Sequence, residues 1–377
     1  MIQRVAFIST MHYSLDDRIF YHFAKSLKSK LSEILIVSTK EFLKTTVDGI
    51  EIDSFDSEKL SRSEIFSLVD KRLSDFLPEA VFCDNPMAVF IAKKYVKTIK
   101  IPIIYDITEW YPSKKNLLQF NFTKRIFRAT LLSFFTLLSG FVADSFIFGE
   151  YYKSIPFKIF FWKKKALIPY YINKDYLSIF PRNNRLRKEC RCLYSGIVNK
   201  DKGIENLLPG IYQAALQRPD TNFRLTIIGK FINEDDTRRY ELFFAEYAIE
   251  NFTIEIVPHM DFPYFCKVVG NYDLYFDLRE DDLENRHCLP IKLFLYLACE
   301  RPVIYSSLKS IRKEIADFNF GYLCNPKNSK EIADKILQYV DNQEKYNAHC
   351  EMAKDISTTK YDWKLIESRL ISLVESL

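Results

Sequence analysis

Glycine is scarce in this chain, with nine residues in 377 against roughly 7% in an average protein. Neither GxGxxG nor GxxxxGK(S/T) occurs, which excludes phosphate loops built on a glycine backbone. Eight cysteines (Cys83, Cys190, Cys192, Cys266, Cys288, Cys299, Cys324 and Cys350) lie scattered without a CxxC pair, and there are only five histidines. That spacing argues against a zinc site or a disulfide framework and favours reduced thiols in a cytoplasm. No solenoid or propeller repeat is visible. The opening MIQRVAFIST has too short an apolar run for a signal peptide and reads as a first strand. The longest uncharged stretch, Ala129 to Ala143, is interrupted by hydroxyl residues and a glycine, so it is expected to fall short of a membrane span.

What is present is an apolar, aromatic-rich chain, 48% hydrophobic and 15% aromatic. That is enough buried surface to fold rather than stay disordered. Short β-branched or aromatic runs alternate with longer amphipathic stretches, the pattern of α/β units around parallel sheets. The first half offers strands at Val5–Ser9, Ile34–Ser38, Ile50–Ile52, Ala80–Cys83, Ile103–Asp106 and Phe141–Ala143. A second series follows at Cys192–Tyr194, Phe223–Ile228, Thr253–Val257, Leu274–Phe276, Val303–Tyr305 and Gly321–Leu323. The expected architecture is two doubly wound, Rossmann-like domains, 1–172 and 191–355, joined by a polar, basic linker over 173–190. A terminal helix within 356–377 is free to return to the first domain. Ligands of such sheets bind beyond the carboxyl ends of the strands, so a cleft there is where site residues are sought.

Four segments carry chemistry. The first strand runs into His12, then Asp16-Asp17-Arg18 at a helix start. Acids there cap the helix, and His12 and Arg18 are placed to meet a polar ligand. In YDITEWYP, Asp106 and Glu109 precede Trp110 and Tyr111. Carboxylates accept hydroxyl hydrogen bonds and flat rings cover a pyranose face, so the segment suits a sugar, or is an ordinary aromatic turn. In LYSGIVNKDKGI, Gly196 leads to Lys200 and Lys202 before a helix, an anion site or a pair of surface lysines. In NRHCLPIKLFLYLACERPVI, a loop carrying His287 and Leu289 opens a helix carrying Lys292, and Pro290 favours that helix start.

These segments, in this order, resemble the retaining glycosyltransferases of the GT-B fold known as glycosyltransferase family four. DDRIFYHFAKSL is similar to its D-x-R-I-F-x-x-x-A-x-x-L, YDITEWYP to its D-x-H-E-x-x-P, YSGIVNKDKGI to its strand-Gly-loop-Lys-Gly, and LPIKLFLYLACERPVI to its LPxKLFEYMAxGxPVI. The resemblance implies a metal-independent, cofactor-free transfer of a sugar from a nucleotide-diphosphate sugar to a glycan or lipid-linked acceptor. It implies catalytic roles for Asp106, Glu109 and His287, donor binding by Gly196, Lys200, Lys202, Arg279, Leu289 and Lys292, and acceptor binding by His12, Arg18, Trp110 and Tyr111. No Asp-x-Asp motif is present. The chain departs from the family at Leu295, where a ribose-binding glutamate stands, at His287, where the first glutamate of that pair stands, at Thr108 in place of histidine, and at Ile197 in place of arginine. A leucine accepts no ribose hydrogen bond, so a non-catalytic partner of an active transferase is the competing expectation.

Charge adds a further partner. Between Tyr151 and Lys188 the chain has ten basic residues and one acid, Asp175, although its whole net charge is only +5. Lys124, Arg125 and Arg128 precede LLSFFTLL, and FKIFFWKKK interleaves rings with lysines. Rings sit at headgroup level and lysines are drawn to anionic lipid, so peripheral association with the inner face of the cell membrane is expected. A core helix with a solvated lysine loop is the plainer reading. No nucleic-acid motif accompanies the basic tract.

Overall fold

The computed structural model describes residues 2–97, 99–109, 112–113, 117, 119–184, 186–315 and 317–377. The chain divides into two compact units, Met1–Tyr170 with Trp363–Leu377, and Tyr171–Asp362. The stretch 173–190, read above as a linker, is built into the second unit. Ser178 N–H donates to Cys266 O (3.2 Å), and Arg301 to Phe180 O (2.6 Å). Its main-chain groups are taken up by bonds to that unit, which makes it a packed strap.

The first unit holds eight strands, β1 (Arg4–Ser9), β2 (Glu33–Ser38), β3 (Lys40–Val47), β4 (Ile50–Asp56), β5 (Ala80–Cys83), β6 (Ile103–Ile107), β7 (Ser145–Phe148) and β8 (Lys164–Leu167). Their order is β3-β4-β2-β1-β5-β6-β7-β8. Only β3 runs antiparallel, turning into β4 through Asp48 and Gly49, both at positive φ (51° and 73°), the left-handed pair that a tight hairpin demands. Strands β1, β2, β5, β6 and β7 are apolar along almost their whole length because helices cover both faces of the sheet. The strand expected at Phe141–Ala143 is instead the end of the helix Phe122–Val142, and β7 begins at Ser145. Lys163 Nζ fixes that end by donating to the carbonyls of Gly140 (2.9 Å) and Phe141 (2.7 Å). By length and composition this 21-residue helix is long and apolar enough to cross a membrane, contrary to expectation. Its apolar length extends back through Arg128 to Arg125, beyond the uncharged stretch.

The returning segment completes this unit. Trp363 stacks on Phe23 (5.9 Å between ring centroids) and its indole N–H donates to Ser26 Oγ (2.8 Å), while the helix Glu367–Glu375 lies beside β8. The second unit is fully parallel: β9 (Glu189–Ile197), β10 (Asn222–Lys230), β11 (Phe252–Pro258), β12 (Leu274–Asp277), β13 (Val303–Ser306) and β14 (Gly321–Cys324), in the order β11-β10-β9-β12-β13-β14. In each sheet one strand is where the order reverses, β1 toward β5 and β9 toward β12. Polar side chains brought there lie outside strand ends, where parallel sheets bind ligands.

Candidate functional sites in the two units

In the second unit, β9 carries Ser195 and Gly196 just before its end and β12 ends in Asp277, on either side of the reversal point. Gly196 has φ +110°, and a Cβ on it would collide with Lys292 Nζ. The backbone there requires glycine, and the absence of a side chain leaves room for the lysine ammonium where it stands. Lys292, in the first turn of the helix Ile291–Ala298, donates to Ser195 O. An ammonium has three donors, so the contact leaves it capacity for an anion. Burial pushes its pKa down to about 8, with Asp277 opposing and the charges of Arg279 and Lys202 adding to the fall. Tyr296, one turn on, shares a 2.5 Å hydrogen bond with Ser195 Oγ.

Arg279 does not reach into this space. Its Nε donates to Asp277 Oδ1 (2.6 Å), both side chains are buried, and Ser306 Oγ donates to the Arg279 carbonyl (2.6 Å). The pair holds Asp277 below the usual carboxylate range, because the arginine outweighs burial. Lys200 and Lys202 lie in one turn of 3-10 helix capped by Asn199, whose Oδ1 accepts from Lys202 N–H (2.9 Å). Gly203 follows at φ +86°, where a Cβ would overlap the backbone of Leu278 and Arg279. That close approach sets Lys202 near Asp277. Leu289 is buried and Leu295 is half-buried against the same apolar cluster. His287, outside this group, bonds through Nδ1 to Leu283 O (2.9 Å). Gly196, Lys202 and Lys292 are thus brought together, Arg279 is committed to Asp277, and Asp277, Ser195 and Tyr296 join the site without having been singled out in the sequence.

In the first unit, Asp106 and Arg18 meet, but as an internal pair. Arg18 Nε and a terminal nitrogen grip the two Asp106 oxygens (2.6 and 2.8 Å), its other nitrogen donates to Ile168 O (3.1 Å), and its guanidinium lies between the rings of Phe23 (4.4 Å) and Tyr170 (4.2 Å). Both are buried. His12 instead belongs to a titratable cluster at the β1/β5 reversal. Its Nδ1 is 3.2 Å from Asp16, which caps the helix start by accepting from Arg18 N–H and Ile19 N–H. Burial opposes the charge on His12, but the Asp16 hydrogen bond and the charges of Asp16, Asp84 and Asp17 outweigh it, pushing its pKa up to about 9. Asp84 accepts from Ser9 Oγ (2.5 Å) and Asn85 Nδ2 (2.6 Å), and burial raises it to about 6. Burial and the neighbouring Asp16 raise Asp17 to about 7. One cation among carboxylates that titrate near neutrality is an arrangement able to take or give a proton. Glu109 is exposed beyond β6, one residue after Thr108, whose hydroxyl donates to Asp84 O (3.2 Å). Trp110 and Tyr111 lie outside the described residues.

Residues 178–356, which carry Gly196, Lys202 and Lys292, match the family model of the glycosyl transferases group 1. The matched residues make up nearly the whole of the second unit. No curated protein matches the chain by sequence. Among solved structures, the chain is similar over its whole length to sucrose-phosphate synthase from Thermosynechococcus elongatus (TM-score 0.71, 13% identity, covering 99% of this chain and 98% of that one). It is likewise similar to Anabaena HepE in complex with UDP-glucose (TM-score 0.70, 13% identity, 99% and 100%) and to WaaG, a glycosyltransferase involved in lipopolysaccharide biosynthesis (TM-score 0.68, 14% identity, 97% and 98%). The fold is GT-B, with two parallel-sheet α/β domains. Within the matched residues, the strand-end turn at Gly196 and the helix start at Lys292 are the elements that set the fixed cations.

Proposed function

We propose that this chain transfers a sugar from a nucleotide-diphosphate sugar to a glycan or lipid-linked acceptor, as a retaining transferase of glycosyltransferase family four. The observation that carries the reading is Lys292, a cation withdrawn from water at the reversal point of a group 1 domain, against a glycine that leaves it room. A departing diphosphate needs positive charge already in place, and fixed cations in a low-dielectric site supply it without reorganisation. Lys292 and Lys202, with Lys200 as alternate, take that role in place of a metal. On the acceptor side, His12 and Glu109 orient a hydroxyl, while Arg18 and Asp106 act as positioning residues through their mutual bond. Eight free cysteines suit a reducing cytoplasm.

The test is thermal shift of the purified chain with uridine, guanosine and adenosine diphosphates, followed by hydrolysis of the sugar donor that carries the preferred base. A rise in melting temperature with one of the three supports the reading. No shift with any of them overturns it. Lys202→Ala is expected to weaken that binding by about threefold to tenfold, less than its full charge-assisted value because the side chain is partly solvated. Unchanged affinity would pass the contact to Lys200.

A non-catalytic partner role is the second reading, favoured by Leu295, which is packed against apolar neighbours where the resembled family has a ribose-binding glutamate. Leu295→Glu is expected to tighten nucleoside diphosphate binding by about fivefold, provided that circular-dichroism melting shows the variant folded, since a half-buried carboxylate without a partner destabilises the helix. Binding that does not change in a folded variant would show the ribose to be held by other residues.

A further inference from the structure

The helix Phe122–Val142 is inverted with respect to a helix that closes a parallel crossover. The positions it shelters are mostly small or hydroxylated: Ala129, Ser133, Thr136, Ser139 and Gly140. The positions it exposes are large and apolar. Phe127, Leu131, Phe134, Leu138 and Phe141 recur at i, i+4, i+7, i+11 and i+14, a single stripe, and Phe127, Phe134 and Phe141 are 69, 58 and 60% exposed. An ordinary surface helix turns such a stripe toward the core.

The stripe does not stop at the helix end. The Phe141 ring packs on Phe160 (4.9 Å between centroids), Phe160 on Trp162 (5.9 Å) and Trp162 on Phe161 (5.1 Å), and Phe161 is 81% exposed. A contiguous apolar face of this kind marks an interaction surface. Its exposed charge is mainly positive: the helix contributes Lys124, Arg125 and Arg128 and the segment 158–165 contributes Lys158, Lys164 and Lys165, with no acid in either, while Lys153 is buried on Glu150 and Lys163 is held by the helix-end carbonyls near Asp144.

We propose that this face docks on an anionic lipid bilayer, with the helix lying in the interface and Phe161 and Trp162 at headgroup level. Rings with flanking cations fit the boundary between acyl chains and anionic headgroups. A second copy of the chain fits worse, because a two-fold interface on the same stripe would set these cations against one another. The helix lies along the surface and does not span it, since its carboxyl end is tied down: Lys163 holds the carbonyls of Gly140 and Phe141, and Asp144 N–H donates to Ile103 O in β6 (2.8 Å). The inference stands independently of the donor reading.

Sedimentation with vesicles of phosphatidylcholine, with and without phosphatidylglycerol, tests it, using variants at exposed positions checked for folding by circular dichroism. The parent is expected to pellet with the anionic vesicles and at least about tenfold less with neutral ones. Phe127→Asp with Phe134→Asp, and separately Phe161→Ser with Trp162→Ser, should each lower binding by about tenfold or more. Trp emission should be quenched by brominated lipid in the parent and much less in Trp162→Phe. Equal pelleting on both lipids, none on either, or parent-like pelleting of the doubly substituted variants overturns the proposal. So does a concentration-dependent dimer that Phe127→Asp with Phe134→Asp abolishes in a chain that binds no vesicle, which would assign the face to a second copy.

Discussion

Replacing Arg18 by methionine is expected to lower the stability of the first unit by about 3–5 kcal/mol, measured by urea unfolding. The guanidinium is buried and makes two bonds to Asp106 and one to Ile168 O, with a ring on each side. Removing it leaves a buried carboxylate without its charge partner, and the cost of breaking a buried pair from one side falls in that range. The double variant Arg18→Met with Asp106→Leu should recover more than half of the loss, because the pair as a whole adds little beyond what well-packed apolar groups would. A loss under about 1 kcal/mol in the single variant would show that the site admits water or relaxes around the acid.

Lys292→Met carries the largest expected effect on binding. The substitution keeps most of the volume and removes the charge, so affinity for the preferred nucleoside diphosphate should fall by about tenfold to a hundredfold, the worth of a hydrogen bond to a charged group. Stability without ligand should hold or rise, because a partly desolvated ammonium costs solvation. The pH profile separates charge from packing. With its pKa lowered to about 8, Lys292 is protonated below that value and loses its charge above it. Affinity of the parent should therefore be steady at neutral pH and weaken as pH rises through about 8, whereas the methionine variant should show no such step. Calorimetric titration across that range reads both. An equal step in the two proteins would move the titrating group elsewhere.

Much of the scaffold was legible in the sequence because doubly covered parallel strands are continuous apolar runs, as in β1, β2, β5, β12 and β13. Edge strands lack that signal. KEFLKTTV in β3 alternates and is largely exposed, and KKAL in β8 is short and basic, so neither announced itself. The end of the helix at Val142 was illegible for a different reason: the group that holds the carbonyls of Gly140 and Phe141, Lys163, lies 23 and 22 residues beyond them along the chain. The candidate sites divide the same way. Gly196, Lys202 and Lys292 stand in local patterns that can be read as such. Asp84 and Asp277 acquire meaning only from strand order, which places them at the reversal points, and the pairing of Arg18 with Asp106 spans eighty-eight residues.

The return of Trp363–Leu377 to the first unit has a consequence for synthesis. A ribosome delivers the residues of the second unit as one uninterrupted block, so that unit has all of its parts before the first one does. The first sheet emerges earlier, yet it waits with the Phe23 and Ser26 side of its opening helix uncovered until Trp363 is made. The nascent chain therefore finishes its two halves in the reverse of the order in which it starts them.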